Sequence, residues 1–143
     1  MIRKFENSDT AEVMQLWLNG NLDAHPFIEK EYWQANFQEV EKQLLDAEVF
    51  VYEQDGQIKG FIGLMGNYIA GIFVDRNSRS TGIGQKLLDY VKDRHEALLL
   101  EVYQKNQRAI DFYRRQGFII SSEQVDEEAD EIDLTMTWSR KKQ

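Results

Sequence analysis

A chain of 143 residues, 42% of them hydrophobic, has the size and apolar content of one globular domain spanning residues 1–143. It has no cysteine, which excludes disulfides, thiolate nucleophiles and cysteine-ligated zinc. Its formal net charge of −8 argues against nucleic acid as a partner and suits cationic substrates.

In chain order, residues 2–5 (IRKF) suit a first strand. Residues 8–20 suit a helix capped by Ser8 or Asp9, with Val13, Leu16 and Trp17 on one face. The only proline, Pro26, interrupts it within DAHPFI (23–28). Trp33, Phe37, Val40 and Leu44 recur at spacings of 4, 3 and 4, which makes 29–47 a second amphipathic helix. The period then becomes that of strands. Two β-rich runs flank Asp55-Gly56 over 48–66, a hairpin signal, and 67–74 (NYIAGIFV) is a further strand. A helix follows over about 83–95, closed by His95. ALLLEVY (97–103) is a buried strand. Residues 106–117 form a helix with Asn106 at its N-cap and Gly117 as its stop. Residues 118–125 and 131–138 close the chain as an antiparallel pair. The expected order is β-αα-βββ-α-β-α-ββ, a mixed, mostly antiparallel central sheet with helices on both faces.

The segment between 74 and 88, VDRNSRSTGIGQKLL, carries the first chemical signal. A helix N-terminus presents unpaired N–H groups and the positive end of the macrodipole. Glycines let an anion approach that backbone, and Arg79 adds a charged donor. The Walker A pattern is absent, and Gly82-Ile-Gly84 lacks the third glycine of the dinucleotide fingerprint. These absences weigh against a nucleotide-binding switch protein.

Arg79-x-x-Gly82-x-Gly84 between a strand and a helix resembles motif A of the GNAT family of N-acetyltransferases. Asn106, Ala109, Phe112, Tyr113, Gly117 and Phe118 match N-x-x-A-x-x-F-Y-x-x-x-G-F, which is similar to motif B. HPFI and YW in the early region resemble the bacterial YjaB-type subgroup. Two departures stand out: Arg76 follows Asp75 where many members have proline, and Ser80-Thr81 replaces a frequent Gly/Lys pair.

The resemblance implies acetyl-CoA as cosubstrate and an amine as acceptor, with no metal. It implies that the backbone of Ile72, Phe73 and Val74 pairs with the pantetheine arm. Arg79, Ser80, Thr81, Gly82, Ile83 and Gly84 would hold the pyrophosphate, and Asn106, Ala109 and Tyr113 would complete the cofactor side. Gly71, in mid-strand, suits a bulge that would splay strand 67–74 from strand 97–103.

Tyr113 shares a helix face with Asn106 and Ile110 and, as a phenol of pKa ~10, can give a proton to the departing thiolate. Two candidates exist for the general base. Glu101 is a carboxylate on an otherwise apolar strand, and His25 lies in the early loop. His25, Phe27 and Tyr32 would line the acceptor side. The acidic run 126–133 is either a solvated turn or a funnel for cations. A non-catalytic acyl-CoA sensor is the alternative to an enzyme. No apolar run reaches the ~20 residues of a membrane span, and MIRKFENSDT lacks a signal-peptide core. A cytoplasmic monomer or homodimer is therefore expected.

Overall fold

The sheet-forming runs assemble in a computed structural model that describes residues 1–140. Strand β1 (Ile2–Lys4) precedes helices α1 (Thr10–Ala24) and α2 (Lys30–Asp46). Three antiparallel strands follow: β2 (Glu48–Gln54), β3 (Gln57–Met65) and β4 (Tyr68–Val74). Helix α3 (Ile83–Lys92), strand β5 (Ala97–Tyr103), helix α4 (Gln107–Arg115), β6 (Ile119–Asp126) and β7 (Glu131–Ser139) complete the order read from the sequence. The sheet runs β1-β2-β3-β4-β5-β7-β6, and its one parallel pair is β4 with β5. The β2–β3 turn works because Asp55 and Gly56 both take positive φ, 55° and 76°.

The two faces of the sheet bury different helices. Leu87, Leu88 and Val91 of α3 and Ile110 of α4 pack on Ile62, Leu64, Leu98 and Leu100. Val13 and Trp17 of α1 and Trp33 and Leu44 of α2 pack on Val49, Val51 and Phe61 of the other face. A fully buried aliphatic side chain of this kind contributes roughly 1.5–3 kcal/mol.

The structure corrects several boundaries. Helix α1 runs on to Ala24, because Pro26 bars only its preceding residue from helical geometry; His25 has φ −126° and ψ 60°. Neither Ser8 nor Asp9 caps α1 by side chain. The Asp9 carboxylate is buried and is held by Arg3, at 2.8 and 3.0 Å, and by the Glu6 N–H. Those bonds hold Asp9 below the usual carboxylate range. Helix α3 stops at Lys92, and His95 lies beyond it with Nδ1 2.9 Å from the Val91 carbonyl oxygen.

Candidate active site

The site begins where the sheet opens. Strands β4 and β5 pair only at Tyr68↔Leu99 and Ile69↔Leu100. Beyond that, residues 71–74 keep β3 as neighbour but have no partner in β5. The bulge lies at Ala70, one residue before the glycine expected to carry it: Gly63 pairs with Gly71 and Leu64 with Ile69. Gly71 has another task. A Cβ there would collide with the Phe73 ring, which also lies 2.7 Å from where a Cβ on Gly20 would be. Phe73 packs toward α1, stacked on Phe61 with ring centroids 5.2 Å apart.

The Asp75 N–H donates to the Lys59 carbonyl at 2.7 Å. Antiparallel ladders alternate, so Phe73 and Gly71 also turn their backbone groups to β3. Ile72 and Val74 turn theirs into the fork. Phe73, named with them from sequence, does not.

Next to the fork stands the start of α3. Its N-cap, Gly82, has φ +89°, a left-handed conformation that favours glycine. Among the described residues no side chain caps this end, and a Cβ on Gly82 would meet nothing within 4 Å. The first N–H groups of α3 thus lack a side-chain cap, and the space beside Gly82 gives an anion room. A pyrophosphate fits this geometry. Ile83 is 3% exposed and can contribute only its backbone. A Cβ on Gly84 would sit 3.5 Å from Phe112, an ordinary contact that joins α3 to α4.

Side chains of the loop are engaged within the protein. The Thr81 hydroxyl donates to the Ser78 carbonyl at 2.5 Å. Arg79 is held by Asp23 of α1, Nη2 to Oδ2 2.6 Å, with Arg76 3.8 Å from the same carboxylate. The ion pair ties the loop to α1 and leaves the other guanidinium donors of Arg79 for an anion. Ser80 has φ 65°.

Helix α4 presents Tyr113 and Asn106. The Asn106 side-chain Oδ1 accepts from the Ala109 N–H at 3.3 Å, as an N-cap does. Its amide nitrogen lies 3.4 Å from His25 Nε2. The Tyr113 ring is half-buried against Phe112 and Phe118. Among the described residues none makes a hydrogen bond to its hydroxyl. Burial pushes that phenol up to about 12.

On the α1–α2 side of the fork, polar groups gather around β5. As its alternation requires, Leu98, Leu100 and Val102 are buried, while Glu101 is exposed on the opposite face. Glu101 is the first β5 residue past the parallel pairing. Its carboxylate accepts from the Tyr68 hydroxyl at 3.1 Å. Tyr103 donates to Asp126 at 2.8 Å and pairs in register with Asp133. Burial raises the Tyr68, Tyr103 and Tyr32 phenols, so all three stay protonated.

His25 stacks on Trp33 with centroids 5.2 Å apart, edge-on to Phe27 and Tyr103. Burial lowers its imidazole to about 4. That makes it a weak base at neutral pH and an anchor between α1 and α4. Phe27 and Tyr32 join the same aromatic cluster. Among the described residues, no group of three or more His, Asp or Glu could hold a metal.

Asp133, Tyr68 and Asp23 were not singled out from sequence. Burial, with Glu101 adding repulsion, raises Asp133 to about 6. The folded chain thus binds this proton more tightly than the unfolded chain, and stability falls as pH rises from about 4 to about 6. His25 acts oppositely: its depressed pKa gives stability that is lost as pH falls from about 6.5 toward 4. Asp133→Asn removes one of two opposing slopes. It is expected to stabilise the protein near pH ~7.5 by roughly 1 kcal/mol, after discounting for solvent screening, a Tm rise of about 3 °C. Near pH ~3.5 it should change Tm little. A thermal melt at both pH values checks this.

The family described as acetyltransferase (GNAT) domain matches residues 46–120. The chain is 43% identical over 122 residues to peptidyl-lysine N-acetyltransferase YiaC of Escherichia coli (strain K12), covering 84% of each. Among solved structures, apo YjaB from Escherichia coli matches with a TM-score of 0.85 at 24% identity, over 96% of both chains. The PaiA N-acetyltransferase of Thermoplasma acidophilum, solved in complex with coenzyme A, matches with a TM-score of 0.80 at 18% identity, over 97% of this chain and 98% of that one.

Proposed function

This chain belongs to the GNAT family of acetyltransferases and is an acetyl-CoA-dependent N-acyltransferase, and from that premise we propose that its acceptor is the side-chain amine of a lysine in a peptide or protein. The observation that carries the reading is the fork. It sets free backbone groups of Ile72 and Val74, the open start of α3 and the Glu101 carboxylate at one break in the sheet. The identity to a peptidyl-lysine N-acetyltransferase supports the acceptor class.

Each residue then has a task. Ile72 and Val74 hold the pantetheine arm as a strand would. The backbone from Ser80 to Gly84 holds the pyrophosphate, with Arg79 fixed beside it by Asp23. Ala109 and Asn106 form the α4 wall. Acetyl-CoA supplies a thioester that a neutral amine attacks directly. A lysine amine has a pKa of ~10.4, so its neutral form lies about 4.6 kcal/mol uphill at pH 7. Glu101 draws off that proton, directly or through water, and Tyr113 donates to the departing sulfur. His25, Phe27 and Tyr32 wall the acceptor side.

The test is an acceptor panel that follows CoA release: a lysine peptide blocked at its N-terminus, a lysine-free peptide with a free N-terminus, and a polyamine. The lysine peptide is expected to be acetylated fastest, with acetyl-lysine found by mass spectrometry. Faster reaction of either other acceptor refutes the acceptor class. In the same assay, kcat/KM should rise with pH through an apparent pKa that Glu101→Gln removes and His25→Ala keeps. If both variants keep the wild-type profile, water is the base.

A further inference from the structure

Helices cover only part of the sheet on its α1–α2 side. Helix α1 packs on β3 and β4, and the His25 cluster covers Tyr103 at the end of β5. The strand registers arrange the same face of β5, β7 and β6 in rows, on which Glu101, Ser122 and Ile119 are exposed. Tyr103, Asp133 and Gln124 form one row, and Glu101 with Thr135 forms the next. Leu99, Thr137 and Ile119 form the third. A shallow cavity of about 320 Å³ lies along this third row, lined by all three of its residues. Ile119 is 58% exposed and offers an apolar side chain at the cavity.

Charge adds a second observation. By register, Glu101, Asp133, Glu131 and Asp126 stand on this face, with Glu131 paired to Lys105 at 3.2 Å, whereas Glu123 lies opposite buried Leu134 on the other; the strands β5, β6 and β7 contain no lysine, arginine or histidine. The floor thus favours a cation at its Glu101 end and an apolar group at its Leu99 end.

Resting on the lysine-acceptor reading, we propose that this face is the docking floor for an extended lysine peptide, and that the Leu99–Thr137–Ile119 row selects an apolar side chain two residues from the acetylated lysine. The offset follows from strand geometry. Adjacent rows on one face are ~6.8 Å apart, which is also the spacing of side chains i and i+2 in an extended peptide. With the lysine amine at Glu101, the side chain two residues along falls on the third row.

The experiment uses blocked lysine peptides in which a single leucine replaces glycine at each of the three positions on either side of the lysine. Leucine two residues away, on one side, is expected to lower KM about tenfold relative to the all-glycine peptide, the scale of burying one aliphatic side chain. In Ile119→Asp that ratio should fall to about one, a change that loss of folded protein alone would not produce. A tenfold ratio that survives in the variant, or no preference for any position, overturns the proposal. So does a wild-type dimer that Ile119→Asp splits in sedimentation, since the row would then meet a second copy of the chain. If Nα-acetyl-lysine amide is itself not acetylated, the lysine-acceptor reading fails and takes this one with it. Acetylation of the amide without positional preference overturns the docking floor alone.

Discussion

Gly82→Asp is expected to abolish acetyl-CoA binding, whereas Gly82→Asn is expected to weaken it by no more than about tenfold. The pair separates two effects that a single variant would mix. Gly82 has φ +89°, so any side chain there strains the backbone. Asparagine and aspartate are similar in size and tolerate left-handed geometry better than other residues, so the strain is shared. A Cβ at this position meets nothing within 4 Å, and beyond it the two side chains have nearly the same shape, so any steric term is shared. Only the charge differs. A carboxylate about 4 Å from one phosphate charge costs roughly 4 kcal/mol at the effective dielectric of a protein surface. That corresponds to about a thousandfold in affinity. The aspartate would also occupy the helix N-terminus that the pyrophosphate needs. Calorimetric titration with acetyl-CoA measures both. Equal affinities in the two variants would move the phosphate away from the start of α3.

The features legible in the sequence are those fixed by short-range chemistry. Asp55-Gly56 specifies its turn because both residues adopt positive φ. Gly117 ends α4 for the same reason, at φ +95°. The alternation of Leu98, Leu100 and Val102 against Glu101 is a property of any strand buried on one face.

What stayed hidden depends on which distant residues meet. Asp133 alternates with Leu134 and lies opposite Tyr103, but only the β5–β7 register reveals that it crowds Glu101. The period-2 pattern of β7 marks Asp133 as facing the polar side without saying what shares it. Arg79 was assigned to the anion alone, and its partner Asp23 is far back in the chain at the end of α1. Asp9 has the residue type of an N-cap, yet burial beside Arg3 outcompetes capping. Gly71 was expected to permit a bulge, whereas the space it leaves is filled by Phe73.

Tyr113→Phe is expected to lower kcat by roughly 10²-fold, the usual loss when a general acid is removed, while acetyl-CoA affinity changes little. The substitution is unusually clean. The ring packs against Phe112 and Phe118, and phenylalanine preserves those contacts. The hydroxyl makes no hydrogen bond among the described residues, so its removal orphans no partner. The melting temperature should therefore stay close to wild type, and a fall in kcat reports the chemical step.

The pKa of the phenol bears on how Tyr113 acts. At about 12 it lies well above ~8.5, the value of an ordinary thiol. Complete transfer to a solvated thiolate would cost about 5 kcal/mol. The same burial disfavours an anionic sulfur beside the ring, which narrows the gap. In the proposed mechanism Tyr113 therefore works first as a hydrogen-bond donor whose contact strengthens as charge grows on sulfur, and its proton follows only as the carbon–sulfur bond breaks. An acid whose pKa is raised stays protonated until pH nears that raised value. The kcat profile should accordingly show no alkaline decline due to Tyr113 below about pH 11. A variant with wild-type kcat in single-turnover experiments, where product release cannot mask chemistry, would remove Tyr113 from the mechanism.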